Sequence, residues 1–331
     1  MSATAHESFD HRPVMLAEVT ALFADVPSGT VVDATLGGGG HSLALLEAHP
    51  HLDVLGIDRD ADALDAAIAR LKHLSRRLRT SHRRFDELRA AMADHGITEI
   101  SGALFDLGVS SPQLDRGDRG FSYRNDGPLD MRMDSDQPWS ASDVVNGYAE
   151  DELTRIITSY GNERFARRIA RAIIAARPIQ TTFELAEVVT TAIPAAARRT
   201  GGHPAKRTFQ AIRIEVNGEL DVLPDALDRA VEATVPGGRI AVLSYHSGED
   251  RIVKERFAVA AGACECPHDL PCVCGAIQTV RIVRGVAKRP SDDEQQSNRR
   301  AASARLRVVE RIPATRKSDG RPVDTDPGTT P

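Results

Sequence analysis

Four consecutive glycines constrain this chain more than any other stretch of its sequence. They stand in VVDATLGGGGHS, residues 31–42, between a short apolar run and the helical pattern HSLALLEA. Glycines between a strand and a helix let a ligand approach the backbone, and the first turn of the helix offers N–H groups without intrahelical partners. The stretch therefore predicts a ligand-binding turn rather than a merely tight connection.

Short apolar runs on either side of this turn indicate an α/β domain. Three runs have the length and composition of buried strands: residues 30–35, 53–58 and 102–107. They alternate with helical patterns, as in parallel sheets built from βαβ units. The pattern breaks at residue 111, becomes helical from about residue 141, and returns to strands with RIAVLSYHS, TVRIV and ARLRVVERI.

The 331 residues are enough for two domains, or for one domain with an insertion. We predict an α/β, Rossmann-like sheet that is mostly parallel and is interrupted by a mostly helical insertion. The expected boundaries are a first sheet part at 11–110, a loop and helical insertion for substrate recognition at 111–205, a second sheet part at 206–312, and a disordered polar tail at 313–331.

An acidic residue ends the strand that follows the glycine turn. A carboxylate at the position of Asp58 is suited to accept both hydroxyls of a ribose, whether the ligand is NAD or S-adenosylmethionine (SAM). The dinucleotide pattern G-x-G-x-x-G is incomplete, because Gly37 and Gly39 fit its first two positions but Ser42 occupies the third. The turn and the acid together predict a nucleoside-type cofactor, with both candidates still open.

The end of the next strand favours SAM. Asp106 stands there and precedes a stiff Ser-Ser-Pro turn that contains Ser111. The lone pair of an exocyclic amino group is delocalised into the base, so acceptors aimed at its N–H protons make the nitrogen a better nucleophile. Holding nitrogen, methyl and sulfur in line is then the main task, and no metal is required. Asp106 and Ser111 are our candidates for positioning residues.

Longer blocks resemble one known family. DLGVSSPQLDRGDRGFSYRNDGPLDMRMD, residues 106–134, is similar to the ribosomal RNA small subunit methyltransferase H family, also called MraW. HRPVML, ERFARRIARAI, HPAKRTFQAIRIEVNGEL and SYHSGEDRIVK resemble further blocks of it, so the similarity covers residues 11–312. It implies a class I SAM-dependent methyltransferase with a seven-stranded sheet, which methylates the N4 amino group of one cytidine in the decoding region of 16S rRNA.

The resemblance also assigns cofactor contacts by position. It places Gly39, Gly40 and His41 at SAM, Asp58 at its ribose, Phe85 and Asp106 beside its adenine, and Gln113 as a further contact. Two positions depart from the family phrase Ser-Phe-His-Ser-Leu-Glu-Asp: Tyr245 replaces the phenylalanine and Gly248 replaces the leucine. The glycine adds backbone freedom at the expected start of a helix.

The substrate side is predicted from charge and aromatic residues. Residues 161–215 hold ten basic and four acidic side chains, a local excess in a chain whose formal net charge is -5. Arg164, Arg168 and Arg171 are spaced to share a helix face and are candidate RNA contacts, although a solvated helix surface has the same pattern. Further candidates for holding a flipped cytosine are Phe121, Tyr123, Asp130 and His246.

Four cysteines lie together in CECPHDLPCVCG. Cys264, Cys266, Cys272 and Cys274 form two C-x-C pairs that are able to hold a structural zinc ion, but a reduced loop is an equally simple reading. No apolar run is long enough for a membrane span, and the N-terminal residues lack a secretory signal, so we expect a cytoplasmic protein. Its expected partner is 16S rRNA within the small subunit, and the insertion leaves room for a homodimer.

Two other classes of function stay open at this point. One is an amino methyltransferase that acts on another RNA base or on DNA. The other is a SAM-binding ribosome-assembly protein in which methyl transfer is secondary. An NAD-dependent dehydrogenase is disfavoured by the incomplete glycine pattern, and the Ser-Ser-Pro turn beside Asp106 favours catalysis over sensing.

Overall fold

The computed structural model describes residues 13–198, 202–264, 266, 276–298 and 301–316. The chain forms two compact units. The first contains the residues up to Asp58, Asp62–Gly108 and the residues from Ala226 onward, and the second contains Arg59–Ala61 and Val109–Asp225.

The first unit is built on a seven-stranded sheet with the order β3-β2-β1-β4-β5-β7-β6. Strands β1 to β5 run parallel, and β7 is antiparallel to both of its neighbours, β5 and β6. The strands are β1 (Gly29–Asp33), β2 (Leu52–Asp58), β3 (Leu78–His82), β4 (Ile100–Asp106), β5 (Thr234–Ser244), β6 (Ile277–Ile282) and β7 (Arg305–Arg316). The central strand β4 is buried along almost its whole length, as expected for a parallel strand covered on both faces.

Helices alternate with the strands of this unit. They are α1 (Leu16–Leu22), α2 (Gly40–Ala48), α3 (Ala61–Arg70), α4 (Leu88–Asp94), the part of α12 (Glu219–Ala233) from Ala226 onward, α13 (Ser247–Ala260) and α14 (Asp292–Ser297). Val19 and Phe23, at α1, share a buried cluster with Leu45 of α2 and with Leu104 and Leu243 of the sheet. The apolar strands and the amphipathic helices thus bury each other and hold the strand ends in fixed positions.

The second unit is mostly helical. It contains α5 (Ser111–Asp115), α6 (Ala141–Gly147), α7 (Glu150–Ser159), α8 (Ala166–Ala175), α9 (Thr182–Ala192), α10 (Ala195–Arg198) and α11 (Lys206–Asn217). In α8 the buried residues Ala166, Ile169, Ala170 and Ile173 recur every three to four positions, which places one apolar stripe in the core of this unit.

The structure confirms the predicted fold class, a mostly parallel seven-stranded sheet with a mostly helical insertion. The insertion unit extends to Asp225 rather than to residue 205, because Phe209 and Ile212 of α11 pack into its core. Strand β3 was not predicted, since four of the five residues in LRTSH are not buried and form no apolar run. At the other end, β7 continues to Arg316, whereas the tail was expected from residue 313, and residues 317–331 lie outside the described part.

One predicted helical pattern, over residues 207–234, is two helices. Gly218 ends α11 in a left-handed conformation with φ 59°, and α12 begins at the next residue. Among the described residues, no helix has the length and hydrophobicity that crossing a bilayer requires.

Candidate active site

Three acidic residues and a tyrosine meet at one edge of the sheet. Asp33, Asp58 and Asp106 are the last residues of β1, β2 and β4, and Tyr245 follows the last residue of β5. These four strands are parallel neighbours, so their carboxyl ends lie at the same edge. Open α/β sheets bind ligands at that edge.

The glycine turn is fixed to the strand beside it. The backbone N–H of Gly37 donates to Oδ2 of Asp58 at 2.7 Å, and that of Leu36 donates to the carbonyl of Ile57 at 2.9 Å. Gly39 caps the start of α2 with φ 73°, a conformation that favours glycine. The carboxylate expected to bind a ribose therefore also holds the turn that faces it.

The four glycines are present for two different reasons. A Cβ on Gly39 would overlap the side chain of Leu71, and one on Gly40 would overlap the ring of Pro13. By contrast, the nearest atom to a Cβ on Gly37 or Gly38 lies 3.9 Å away. Packing within the protein thus accounts for the second pair of glycines. At the first pair a Cβ would meet only an ordinary contact, and at Gly37 a φ of 52° itself favours glycine.

A buried aspartate below the turn was missed by the sequence analysis. Asp33 is 1% exposed, accepts a hydrogen bond from the hydroxyl of Ser42 at 2.6 Å, and accepts another from the N–H of Thr35 at 3.3 Å. Burial raises the pKa of Asp33 to about 6, against the hydrogen bond from Ser42. Its position at the end of the apolar run, four residues before Gly37, is the sequence signal that marks it.

His41 has no hydrogen-bond partner for either ring nitrogen within the described part of the chain, although its side chain is 5% exposed. Burial lowers its pKa to about 4, so the ring is neutral at physiological pH. Its Nε2 lies 3.6 Å from Oδ2 of Asp106. Buried polar atoms are rarely left without partners in proteins, so this ring is suited to meet polar atoms of a ligand.

Asp106 is held by hydrogen bonds on its backbone and on its side chain. Its N–H donates to Oγ1 of Thr35 at 2.7 Å, the hydroxyl of Tyr245 donates to its Oδ1 at 2.6 Å, and its Oδ2 faces His41. The contacts of Thr35 and Tyr245 were not predicted, because they depend on which strands become neighbours. The carboxylate nevertheless lies at the strand end where the sequence placed it.

Phe85 lies in a short 3-10 turn that follows β3. Its ring is half-buried and packs edge-on against Phe105 of β4, with 6.0 Å between ring centroids. The first unit thus contains Gly39, Gly40, His41, Asp58, Phe85 and Asp106, all of which were predicted as cofactor contacts. A half-buried aromatic ring of this kind has the flat apolar face that stacking on a purine requires.

Gln113 belongs to the second unit and is 6% exposed. Its Oε1 accepts from the N–H of Ser110 at 2.9 Å, and its Nε2 donates to Oδ2 of Asp60 at 2.8 Å. Arg119 also pairs with Asp60 at 2.9 Å. Gln113 therefore caps α5 and ties it to a buried acid. Ser111 begins α5, but its side chain lies outside the described part of the structure.

The two aromatic candidates for base stacking differ in exposure. Phe121 is 5% exposed and belongs to the core of the second unit. Tyr123 is half-buried, stacks on His203 with 4.4 Å between ring centroids, and contacts Phe209 edge-on. The guanidinium of Arg124 lies 5.6 Å from its ring centroid. Of the two rings, only Tyr123 is open to solvent, and His203 was not singled out by the sequence.

Asp130 is engaged by a neighbouring arginine. Arg132 donates from Nε to Oδ1 at 2.9 Å and from Nη2 to Oδ2 at 2.8 Å. Burial works to raise the pKa of Asp130, but the hydrogen bonds from Arg132 outweigh it and hold the pKa below its usual value. The carboxylate is therefore an ionised anchor of its loop.

The prediction that Arg164, Arg168 and Arg171 share a helix face is wrong for Arg164, because α8 begins at Ala166. Arg164 instead lies over the ring of Phe165, 4.6 Å from its centroid. Arg171 pairs with Glu150 at 2.9 Å. All three arginines are exposed, but they do not form one unpaired stripe.

Other arginines of the basic segment serve the fold. Arg177 donates to the carbonyls of Val145 and Tyr148, and Arg213 pairs with the buried Glu219 through two hydrogen bonds of 2.8 and 2.9 Å. The charge available for binding is consequently smaller than a count of basic residues indicates.

His246 caps the start of α13, the helix start expected beside Gly248. Its Nδ1 accepts from the N–H of Glu249 at 3.3 Å, and its Nε2 lies 3.1 Å from the Glu249 carboxylate. In the cysteine cluster, Cys264 and Cys266 are half-buried, whereas Cys272 and Cys274 lie outside the described residues, so the predicted zinc site stays a prediction. The described residues contain no cluster of metal-binding side chains.

The strand order, the antiparallel β7 and the glycine turn after β1 are those of the class I SAM-dependent methyltransferase fold. The sequence matches the model of the MraW methylase family over residues 8–312. The protein belongs to this family, which confirms the resemblance seen in its sequence.

Curated relatives support the same assignment. The chain is 52% identical over 309 residues to the ribosomal RNA small subunit methyltransferase H of Saccharopolyspora erythraea, covering 91% of this chain and 93% of that protein. It is 47% identical over 308 residues to the protein of that name from Halothermothrix orenii, covering 92% and 99%. For the one from Mycobacterium sp. strain KMS the identity is 49% over 327 residues, covering 95% and 88%.

Proposed function

We propose that this protein transfers a methyl group from SAM to the N4 amino nitrogen of one cytidine in the decoding region of 16S rRNA, within the small ribosomal subunit. The observation that carries the proposal is the identity of about one residue in two to relatives named for methylation of small-subunit rRNA, across nine tenths of both chains. The arrangement of residues at the sheet edge supports it independently.

The sheet edge fits SAM. A Cβ on Gly37 or Gly38 would have no neighbour nearer than 3.9 Å, so the protein itself does not crowd the backbone there. The buried ring of His41 has two unpartnered nitrogens among the described residues. Asp58 is placed to accept ribose hydroxyls, and Phe85 offers a face to the adenine. When bound, SAM supplies a methyl group already activated on a sulfonium. The proposal also includes the predicted SAM contacts of Gly39 and Gly40, which form the backbone turn at the start of α2. It includes Gln113 as well, which takes part in the cap of α5.

Asp106 is proposed to contact SAM beside its adenine, as the family resemblance implies, and to orient the cytosine amino group on the acceptor side. A carboxylate that accepts an N–H proton localises the nitrogen lone pair and absorbs the charge that develops on the amino group as its bond to carbon forms. Asp130 is proposed to act through the loop that it fixes with Arg132. Ser111 stays a candidate for positioning, as the first residue of α5.

The helical unit is proposed to contact the RNA. Tyr123 offers a stacking surface, and Arg164, Arg168 and Arg171 offer exposed guanidinium groups to phosphates. His246 is proposed to contact the base or a phosphate, and Phe121 supports Tyr123 from the core rather than stacking itself. Because Arg171, Arg177 and Arg213 are engaged within the protein, we propose that the shape of the ribosomal subunit supplies part of the specificity. A homodimer stays a prediction.

The test uses labelled SAM and three acceptors: small subunits from a strain that lacks the modification, the naked RNA of those subunits, and DNA. Mass spectrometry of the digested product locates the label. We expect N4-methylcytidine at one position in the subunit RNA. Label on DNA or on another base would redirect the proposal to a different amino methyltransferase. SAM binding without transfer to any acceptor would contradict the catalytic role and favour an assembly protein.

A further inference from the structure

Tyr245 makes a short side-chain hydrogen bond to Asp106. Its hydroxyl donates to Oδ1 at 2.6 Å, whereas Nε2 of His41 lies 3.6 Å from Oδ2. The phenol is the donor, because burial and the neighbouring Asp106 raise the pKa of Tyr245 well above its usual value and keep its proton in place. A hydrogen bond to a charged acceptor is stronger than one between neutral groups.

The tyrosine is itself held firmly. Its N–H donates to Oε2 of Glu249 at 2.7 Å, and Glu249 is 2% exposed at the start of α13. Its ring packs against the buried cluster that includes Leu243 and Leu306 of β5 and β7. The hydroxyl is therefore presented to Asp106 from a residue that is fixed at both its backbone and its ring, between β5 and α13.

The geometry points to Tyr245 as a positioning residue that sets the orientation of the Asp106 carboxylate at the SAM site. The N–H of Asp106 is fixed by Thr35, but that contact leaves the side-chain torsions free. The hydroxyl of Tyr245 fixes Oδ1 and so turns Oδ2 toward His41. A side chain locked in its binding orientation loses less entropy when a ligand arrives. This inference rests on the proposed function, because Tyr245 has this task only if Asp106 contacts SAM.

The test compares two tyrosine-to-phenylalanine variants. Tyr245→Phe removes the hydroxyl and keeps the ring. Tyr148→Phe is the matched control, because the Tyr148 side chain is also half-buried and its hydroxyl donates to Glu215 at 2.7 Å, within the second unit. SAM affinity is measured by calorimetry without an acceptor, and stability is measured by urea denaturation of each full-length variant.

We expect Tyr245→Phe to weaken SAM binding between about threefold and thirtyfold, and Tyr148→Phe to change it less than about twofold. In an Asp106→Ala background, Tyr245→Phe should cause no further loss, because its effect passes through that carboxylate. Unchanged affinity in Tyr245→Phe, or an equal loss in both backgrounds, would overturn the inference. Failure of the wild-type protein to bind SAM would instead overturn the proposed function.

Discussion

Replacing single glycines of the turn by alanine separates the two reasons for their presence. Gly38→Ala and Gly39→Ala add the same methyl group to neighbouring positions. Gly39 has φ 73°, and its new Cβ would overlap Leu71 and lie 3.1 Å from the Cβ of Ala67. Gly38 does not have a positive φ, and the nearest atom to its new Cβ is Nη1 of Arg70 at 3.9 Å, an ordinary contact distance.

The magnitudes follow from these geometries. Alanine at a left-handed position costs about 1–2 kcal/mol, and overpacking against Leu71 costs about 1–3 kcal/mol more. Gly39→Ala should therefore lower the free energy of unfolding by about 2–5 kcal/mol. Gly38→Ala should leave it unchanged or raise it by about 0.5 kcal/mol, because alanine reduces the entropy of the unfolded chain. Only Gly38→Ala places a methyl group in the space assigned to SAM.

Urea denaturation and calorimetric titration with SAM measure the two effects separately. The expected result for Gly38→Ala is normal stability with SAM affinity reduced about tenfold or more. For Gly39→Ala it is a clear loss of stability. Wild-type SAM affinity in Gly38→Ala would refute the assignment of that space to the ligand, and wild-type stability in Gly39→Ala would refute the packing argument.

Three further predictions concern charge and burial. The first is that Asp33→Asn exposes the pH dependence of His41. Neutral His41 contributes stability above pH 6.5, and this stability is lost as the pH falls toward about 4. Asp33 has the opposite effect, because it contributes stability below pH 3.8 that is lost as the pH rises toward about 6. The two opposing trends nearly cancel in the wild-type protein. Relative to the wild type, the variant should therefore gain about 3 kcal/mol of stability between pH 4 and 6.5, and parallel profiles of the two proteins would count against these pKa shifts. Asn217→Ala should cost about 2–4 kcal/mol in urea denaturation, because its buried amide bonds backbone groups of residues 131–133, and a loss below about 1 kcal/mol would be inconsistent with that role. Arg168→Ala should leave SAM binding intact but weaken the salt dependence of RNA binding. The slope of the logarithm of RNA affinity against the logarithm of salt concentration should fall in magnitude by about one, and an unchanged slope would remove Arg168 from the RNA contacts.

Local sequence patterns predicted most strands of the sheet. The features that were missed depend on which distant segments of the chain pack together. The apolar runs that became β1, β2 and β4 were visible because these strands are buried on both faces. The run LRTSH of β3 was not, because its only buried residue is Ser81. The helices of the insertion were visible from their apolar periodicity, but the end of that unit was not, since the place of α11 depends on which core its apolar face joins.

In the candidate site, too, residues that local sequence marks were predicted, and contacts between distant residues were not. The glycines, Asp58 and Asp106 were found because their position after a strand is readable along the chain. The hydrogen bond between Tyr245 and Asp106 joins residues 139 positions apart and follows only from the pairing of β4 with β5. Likewise, the sequence could not distinguish an arginine that binds backbone carbonyls, such as Arg177, from an exposed one, such as Arg168.

Methyl transfer by an Asp106→Ala variant tests the central claim most directly. Unmodified small subunits are incubated with labelled SAM and with wild-type protein, Asp106→Ala, or Asp25→Ala, which removes an exposed acid between α1 and β1. The account predicts one N4-methylated cytidine with the wild-type and Asp25→Ala proteins, and a rate at least about a hundredfold lower with Asp106→Ala. Transfer at the wild-type rate by Asp106→Ala would contradict the account.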